Sequence, residues 1–226
     1  MRLKLLCTAV LLTVCAGGTL RAEIINQIPA PFSETSYMGS TTALSQYDTG
    51  LVTPPNLRNI GTTFDNFTFS TTGVVDNIAW VGAYDTNDFS GATFQISLYD
   101  NIGSDPNNLP APLQQFSVGN ANETAVGGFN GYYSYSTSLA PFSVTAGQTY
   151  WVSIVAQLDY NDAGWGVSFS NLGDNNSFQD FGDTSLERFN DPVDYAIRVS
   201  AVPEPGSLMG LLAVAGAAGF WRRRAV

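Results

Sequence analysis

Over short stretches of the chain, apolar side chains alternate with polar ones. In "ATFQISLY" at 92–99, Phe94, Ile96 and Leu98 point one way while Thr93, Gln95 and Ser97 point the other, the period of a strand with one buried face. "TYWVSIVAQL" at 149–158 repeats the device: Tyr150, Val152, Ile154, Ala156 and Leu158 share one face, and Trp151, Ser153 and Val155 the opposite one. Val193, Tyr195, Ile197 and Val199 follow the same rule. Further strands are predicted at 64–69, 78–84, 114–118, 132–137 and 164–169. Turn signals separate the strands, among them "TTGV" at 71–74, "GSDPNNLPAP" at 103–112, "AGQ" at 146–148 and "NLGDNN" at 171–176. Residues 23–60, punctuated by "PAPFS" and "VTPPN", predict an edge strand and a long loop around the rest. No segment between the two ends of the chain carries an apolar stripe at helical spacing. Eight or more short strands with inward apolar faces predict an all-β fold, an antiparallel jelly-roll-like β-sandwich. The absence of a fixed-period repeat argues against a propeller or solenoid.

The two ends follow other rules. Arg2 and Lys4 precede an apolar run, Leu5 to Val14, too short to cross a hydrocarbon core that needs about 20 residues. Residues 1–22 therefore read as a secretory signal peptide, cut after Ala22 to leave Glu23 first, or earlier near Ala16 to Gly18. Both cysteines, Cys7 and Cys15, lie inside it, so the exported chain has no disulfide, cysteine nucleophile or cysteine metal site. Val14 is bulky where lipoprotein processing before Cys15 needs a small residue. Between residues 23 and 200 only Arg58, Arg188 and Arg198 are basic, against eighteen acidic residues. Such a surface repels phosphate backbones, which excludes nucleic acid as a partner.

The chain closes on "AVPEPGSLMGLLAVAGAAGFWRRRAV". Gly206 to Trp221 are sixteen residues without a charge, spanning about 24 Å as a helix, and Arg222, Arg223 and Arg224 hold the end in the cytoplasm. Val202, Pro203, Glu204 and Pro205 precede the run, and the two prolines keep that segment extended and delay the helix. A Pro-Glu-Pro motif, an apolar span and a terminal arginine cluster in this order resemble the PEP-CTERM sorting signal of Gram-negative bacteria. The resemblance covers about 25 residues and implies handling in the inner membrane by an exosortase, a membrane transpeptidase or protease thought to cut near the motif, with release to the cell surface or extracellular matrix. The organisation expected is a signal peptide at 1–22, a β-sandwich ectodomain at 23–200 and a sorting signal with a transmembrane helix at 201–226.

Candidate chemistry is sparse. The chain has no histidine, so Ser-His-Asp, Cys-His and histidine-based zinc sites are excluded. Paired carboxylates remain the one open catalytic route, and the aspartates cluster in turns, where they ordinarily bond the local backbone. The expectation is a non-enzymatic protein with no cofactor. Calcium is the one ion those turns could take, at Asp159, Asn161 and Asp162, or at Asp174, Asn175 and Asp180 with Asp183. The segments "FDNFTFS", "NIAWVGAY", "FQISLYD" and "AGWGVSF" resemble, in order, the β-sandwich ectodomains of PEP-CTERM proteins, which are similar to carbohydrate-binding jelly rolls. Asn66 stands where those domains often show a second Asp, which weakens a metal role for that turn. In "YYSYS" alternation places Tyr133 and Tyr135 on one face and Tyr132 on the other, with one side exposed. Tyr133, Tyr135 and Trp165 are the candidate glycan contacts, since flat apolar faces stack on sugar rings. Two functions follow: a structural protein of the surface or matrix, or a carbohydrate-binding or adhesive module meeting exopolysaccharide.

Overall fold

The computed structural model describes residues 22–50, 61–86, 89–159, 161–181 and 187–203. The expected signal peptide up to residue 21, the expected membrane helix, Glu204, Pro205 and Arg222 to Arg224 lie outside the described residues. In chain order the strands are β1 (Glu23–Asn26), β2 (Thr42–Leu44), β3 (Gln46–Asp48), β4 (Gly61–Thr68), β5 (Gly73–Tyr84), β6 (Thr93–Tyr99), β7 (Gln114–Val118) and β8 (Thr124–Ala125). They continue with β9 (Tyr132–Val144), β10 (Thr149–Leu158), β11 (Trp165–Ser170), β12 (Ser177–Phe181), β13 (Glu187–Asp191), β14 (Asp194–Tyr195) and β15 (Ile197–Pro203). Among the described residues the only helical element is a single 3-10 turn at Pro106–Asn108, and no helix is long and apolar enough to cross a membrane.

The strands form two sheets. One has eight strands around the path β1-β15-β5-β11-β14, with β9 also on β5; the other has seven, in the order β13-β12-β4-β3-β10-β6-β7. The alternating apolar residues meet between them. Trp80 of β5 stacks on Tyr135 of β9 at 5.2 Å and meets Phe94 of β6 edge-on at 5.1 Å, with Ile96, Leu98, Ile154, Tyr195, Ile197 and Val199 in the same core. Close approach dictates one glycine: a Cβ on Gly82 would lie 2.3 Å from the Trp165 ring.

Three differences from the sequence reading have physical causes. The pairing is not wholly antiparallel, because β3 runs parallel to β10, with Gln46 opposite Ala156. The chain leaves the first sheet after Leu44 and enters the second between β4 and β10. Those two strands are antiparallel to each other, so any strand inserted between them runs parallel to one. Second, β12 and β13 were not legible, since "SFQDF" and "ERFND" alternate with polar and charged residues. Third, both outer faces are partly covered. Residues around Ile28, Phe32 and Phe129 bury Val81, Tyr132 and Ala196 on one sheet, and Ile102 and Leu109 cover Phe64 and Tyr99 on the other. The 23–60 region does supply an edge strand, β1, and a covering loop, but it also supplies β2 and β3.

Ser45 joins the sheets. Its amide donates to Trp165 O (3.1 Å), its carbonyl accepts from Ala156 N (2.9 Å) and its hydroxyl donates to Ile154 O (2.5 Å). Beside it, buried Gln46 accepts from Trp165 N (2.7 Å) and donates to Ala163 O (3.1 Å).

Candidate functional site

The sorting motif begins inside the folded domain. β15 lies between β1 and β5, with Ala201 opposite both Glu23 and Val75, Val202 opposite Val74 and Pro203 opposite Gly73. The domain therefore extends past residue 200 to Pro203. A Cβ on Gly73 would lie 2.6 Å from Val202 O, so glycine is what lets the two backbones meet. Glu23 closes the same end: its carboxylate accepts from Ser70 N (2.7 Å), Thr71 N (3.0 Å) and the Thr71 hydroxyl (2.6 Å). Burial pushes the Glu23 carboxyl up, but the hydrogen bonds from Thr71 and Ser70 together outweigh it, so its pKa is lowered. The first residue after the expected signal cut and the start of the sorting motif thus sit side by side.

The aromatic face expected from "YYSYS" is enclosed. Tyr135 is 2% and Trp165 1% exposed, and the Trp165 indole N–H donates to the Tyr135 hydroxyl (3.1 Å). Both belong to the core between the sheets, so neither offers a face to a sugar. Tyr132, on the other side, is buried against Phe32 and Phe129. Tyr133 is half-buried and packs edge-on against Tyr84 at 5.5 Å. Alternation assigned the faces correctly, but the loop covering the outer face could not be read from it.

Solvent-facing aromatics lie elsewhere. Phe181 and Phe189, 43% and 44% exposed, pair across β12 and β13 with centroids 5.4 Å apart. They flank a groove of about 330 Å³ shared with Tyr37, Gln179, Asn190 and Asp191. Across the 40–44 segment lies a second cavity of about 400 Å³, bordered by Asp85, Asn130 and Gly164. A tight turn overhangs the first groove: Tyr37 and Ser40 exchange backbone bonds of 2.7 and 2.9 Å, with Met38 and Gly39 at φ +49° and +81°. Met38 is 89% exposed.

The acidic candidates are engaged with the fold. Asp159 Oδ1 accepts from the amide and side-chain nitrogen of Asn161, both at 2.9 Å, closing the turn on itself. Asp180 forms a buried pair with Arg188, Oδ1 to Nε and Oδ2 to Nη2 at 2.6 Å each. Asp183 lies outside the described residues. Asp65 accepts from Asn66 N and Tyr195 N at 2.8 Å each; burial, with the charge of Asp194 nearby, pushes its carboxyl well above the usual range. Asp194 accepts from Asn175 N (2.8 Å), and burial raises it as well. Asp191, raised by burial, accepts from the Tyr195 hydroxyl (2.5 Å). Among the described residues no group of three or more His, Cys, Asp or Glu side chains is placed to hold a metal ion.

Comparison with known proteins bears on the tail. Residues 201–224 match the family model of the PEP-CTERM protein-sorting motif. The match marks an exported protein with a C-terminal sorting signal handled by an exosortase-type membrane enzyme. No curated protein matches the chain in sequence. Among solved structures, the chain is similar to the cysteine protease and lectin-like domains of Cwp84, a surface layer associated protein of Clostridium difficile. That likeness has a TM-score of 0.40 and 12% identity over 65% of this chain. The chain spans 33% of that structure's length.

Proposed function

We propose that this chain is a non-enzymatic structural protein of the cell surface or extracellular matrix, delivered as a folded jelly-roll-like sandwich and separated from its membrane tail at the PEP motif. The observation that carries the reading is the position of the matched motif: it starts at Ala201, in the last strand of the domain, so a cut near Pro205 would release the sandwich with almost no appended chain. The non-enzymatic part rests on a sequence without histidine and on aspartates spent on backbone amides. Replacing Pro203, Glu204 and Pro205 by alanine tests the delivery. The protein should then move from the extracellular fraction to the membranes, and unchanged secretion would reject the role of the motif.

The exposed pair Phe181 and Phe189 favours a second reading, in which the sandwich binds exopolysaccharide in the groove beside them. Stacking surface and nearby Gln179, Asn190 and Asp191 are the two components that sugar recognition uses. Asp191 at its border, with no basic lining residue, favours a neutral glycan over an acidic one. Affinity electrophoresis in the host polysaccharide, with and without Phe181→Ser and Phe189→Ser, checks it: retardation lost in the double variant supports the groove, and equal mobility of both proteins with and without polysaccharide removes it.

A further inference from the structure

A line of irregular pairing runs through β15, β5 and β9 just before the sorting motif. Between β15 and β5 the register shifts between Ser200 and Ala201: Ser200 faces Asn77, but Ala201 faces Val75. Between β5 and β9 it shifts at the same place, Val75 facing Phe142 and Asn77 facing Ser138. Asp76 has no partner in either ladder, and 139–141 have none on β5. Bulges interrupt the ladder and bend the strand that carries them. On β5 the ladders of 73–75 with 142–144 and 201–203 are thereby separated from those beyond Asp76, although Val75, Phe142, Val144 and Ala201 still pack in the common core.

The hold on the motif weakens outward from that line. Ala201 is 2% exposed and paired on both sides, whereas Val202 is 41% exposed and, like Pro203, is paired with β5 alone. Pro203 has no amide hydrogen to donate. Beyond it only Glu204 and Pro205 precede the apolar run, a reach of about 7 Å when extended. A membrane enzyme that cuts in or next to this motif must hold several residues on both sides of the bond in its cleft. Residues bonded within a sheet cannot enter one.

Resting on the sorting reading above, we propose that Ala201 to Pro203 are part of the processing enzyme's substrate and that they leave the sheet to be cut, unzipping from Gly73 to Val75 as far as the bulge at Asp76 and, at Ala201, from Glu23 on β1. The bulge confines the opening, since both ladders on β5 are already interrupted there, and Ile197 to Ser200 remain paired. The fold and the sorting signal overlap by three residues, and those residues serve both in turn.

The test is a cross-strand lock in the full chain in its own host. The exported region has no cysteine, so Val74→Cys with Val202→Cys places one thiol pair across β5 and β15. The expected result is at least a tenfold drop in tail-less protein when the pair is oxidised, with normal processing in each single variant and recovery on adding reductant. A six-residue Gly-Ser spacer between Pro203 and Glu204 should also restore processing of the oxidised pair, by moving the motif clear of the sheet. Full processing of the locked chain without a spacer would overturn the proposal, and so would a block that the spacer fails to relieve. A wild-type chain that keeps its tail would instead defeat the sorting reading beneath it.

Discussion

Arg188 is one of three basic residues in the exported domain, and it is held from all sides. It pairs with Asp180, donates to Ile102 O (3.1 Å) and Gly103 O (2.5 Å), and lies over the rings of Phe64 and Phe178. Removing one partner of a buried pair strands the other. Arg188→Ala should therefore lose about 3–5 kcal/mol in urea denaturation; a loss under 1 kcal/mol would show that Asp180 finds another partner. Met38 predicts the opposite sign. A non-glycine residue in the left-handed region is strained and Asn tolerates it better, so Met38→Asn should stabilise by about 0.5–1 kcal/mol, read as a higher melting temperature. Burial raises the carboxyls of Asp65, Asp191 and Asp194, so the folded state holds protons that the unfolded chain releases. Stability from these groups is complete below the ordinary aspartate pKa and is lost as pH rises through the raised folded values. Melting temperature should fall as pH rises above the ordinary aspartate pKa, less steeply in Asp194→Asn, which keeps an acceptor for Asn175 N; an identical slope in that variant would assign the effect elsewhere. Little of this was legible in sequence, because Arg188 and Asp65 depend on partners 8 and 130 residues away.

At the scale of elements, the strands with strict alternation, β6, β10 and the Tyr195 to Val199 stretch, stand where the pattern placed them because the core fills their inner face. Alternation gave no signal in the β12–β13 hairpin, where β13 is the edge of its sheet and polar residues cost little; β4, expected at 64–69, starts three residues earlier and is buried at every position but its last. The crossover at Ser45 and Gln46 has no periodic signal at all, yet it fastens the two sheets. Gln46→Leu should cost about 1–3 kcal/mol by leaving Trp165 N without its acceptor, and hydrogen exchange should quicken at Trp165 in particular. The turn at Asp159 satisfies itself through Asn161, so the melting temperature should not move at millimolar calcium; a rise would show that the turn takes the ion the sequence suggested.

For the whole molecule, what the sequence conveyed best was the sorting signal. Two prolines, an uncharged run and three arginines carry their meaning locally, whereas the aromatic groove at Phe181 and Phe189 is assembled from a hairpin that no local pattern revealed. The structure adds that Glu23 and Ala201 are neighbours, so both ends of the domain leave from one pole. The central claim is that the folded domain is cut free at both ends of that pole. Intact-mass spectrometry of the protein from the extracellular and membrane fractions of its host tests it most directly. The account predicts an extracellular species beginning at or near Glu23 and ending near Pro205, with any added mass revealing an attached group. An extracellular or membrane species that still carries Arg222 to Arg224, in a host that processes its other proteins of this kind, would contradict it.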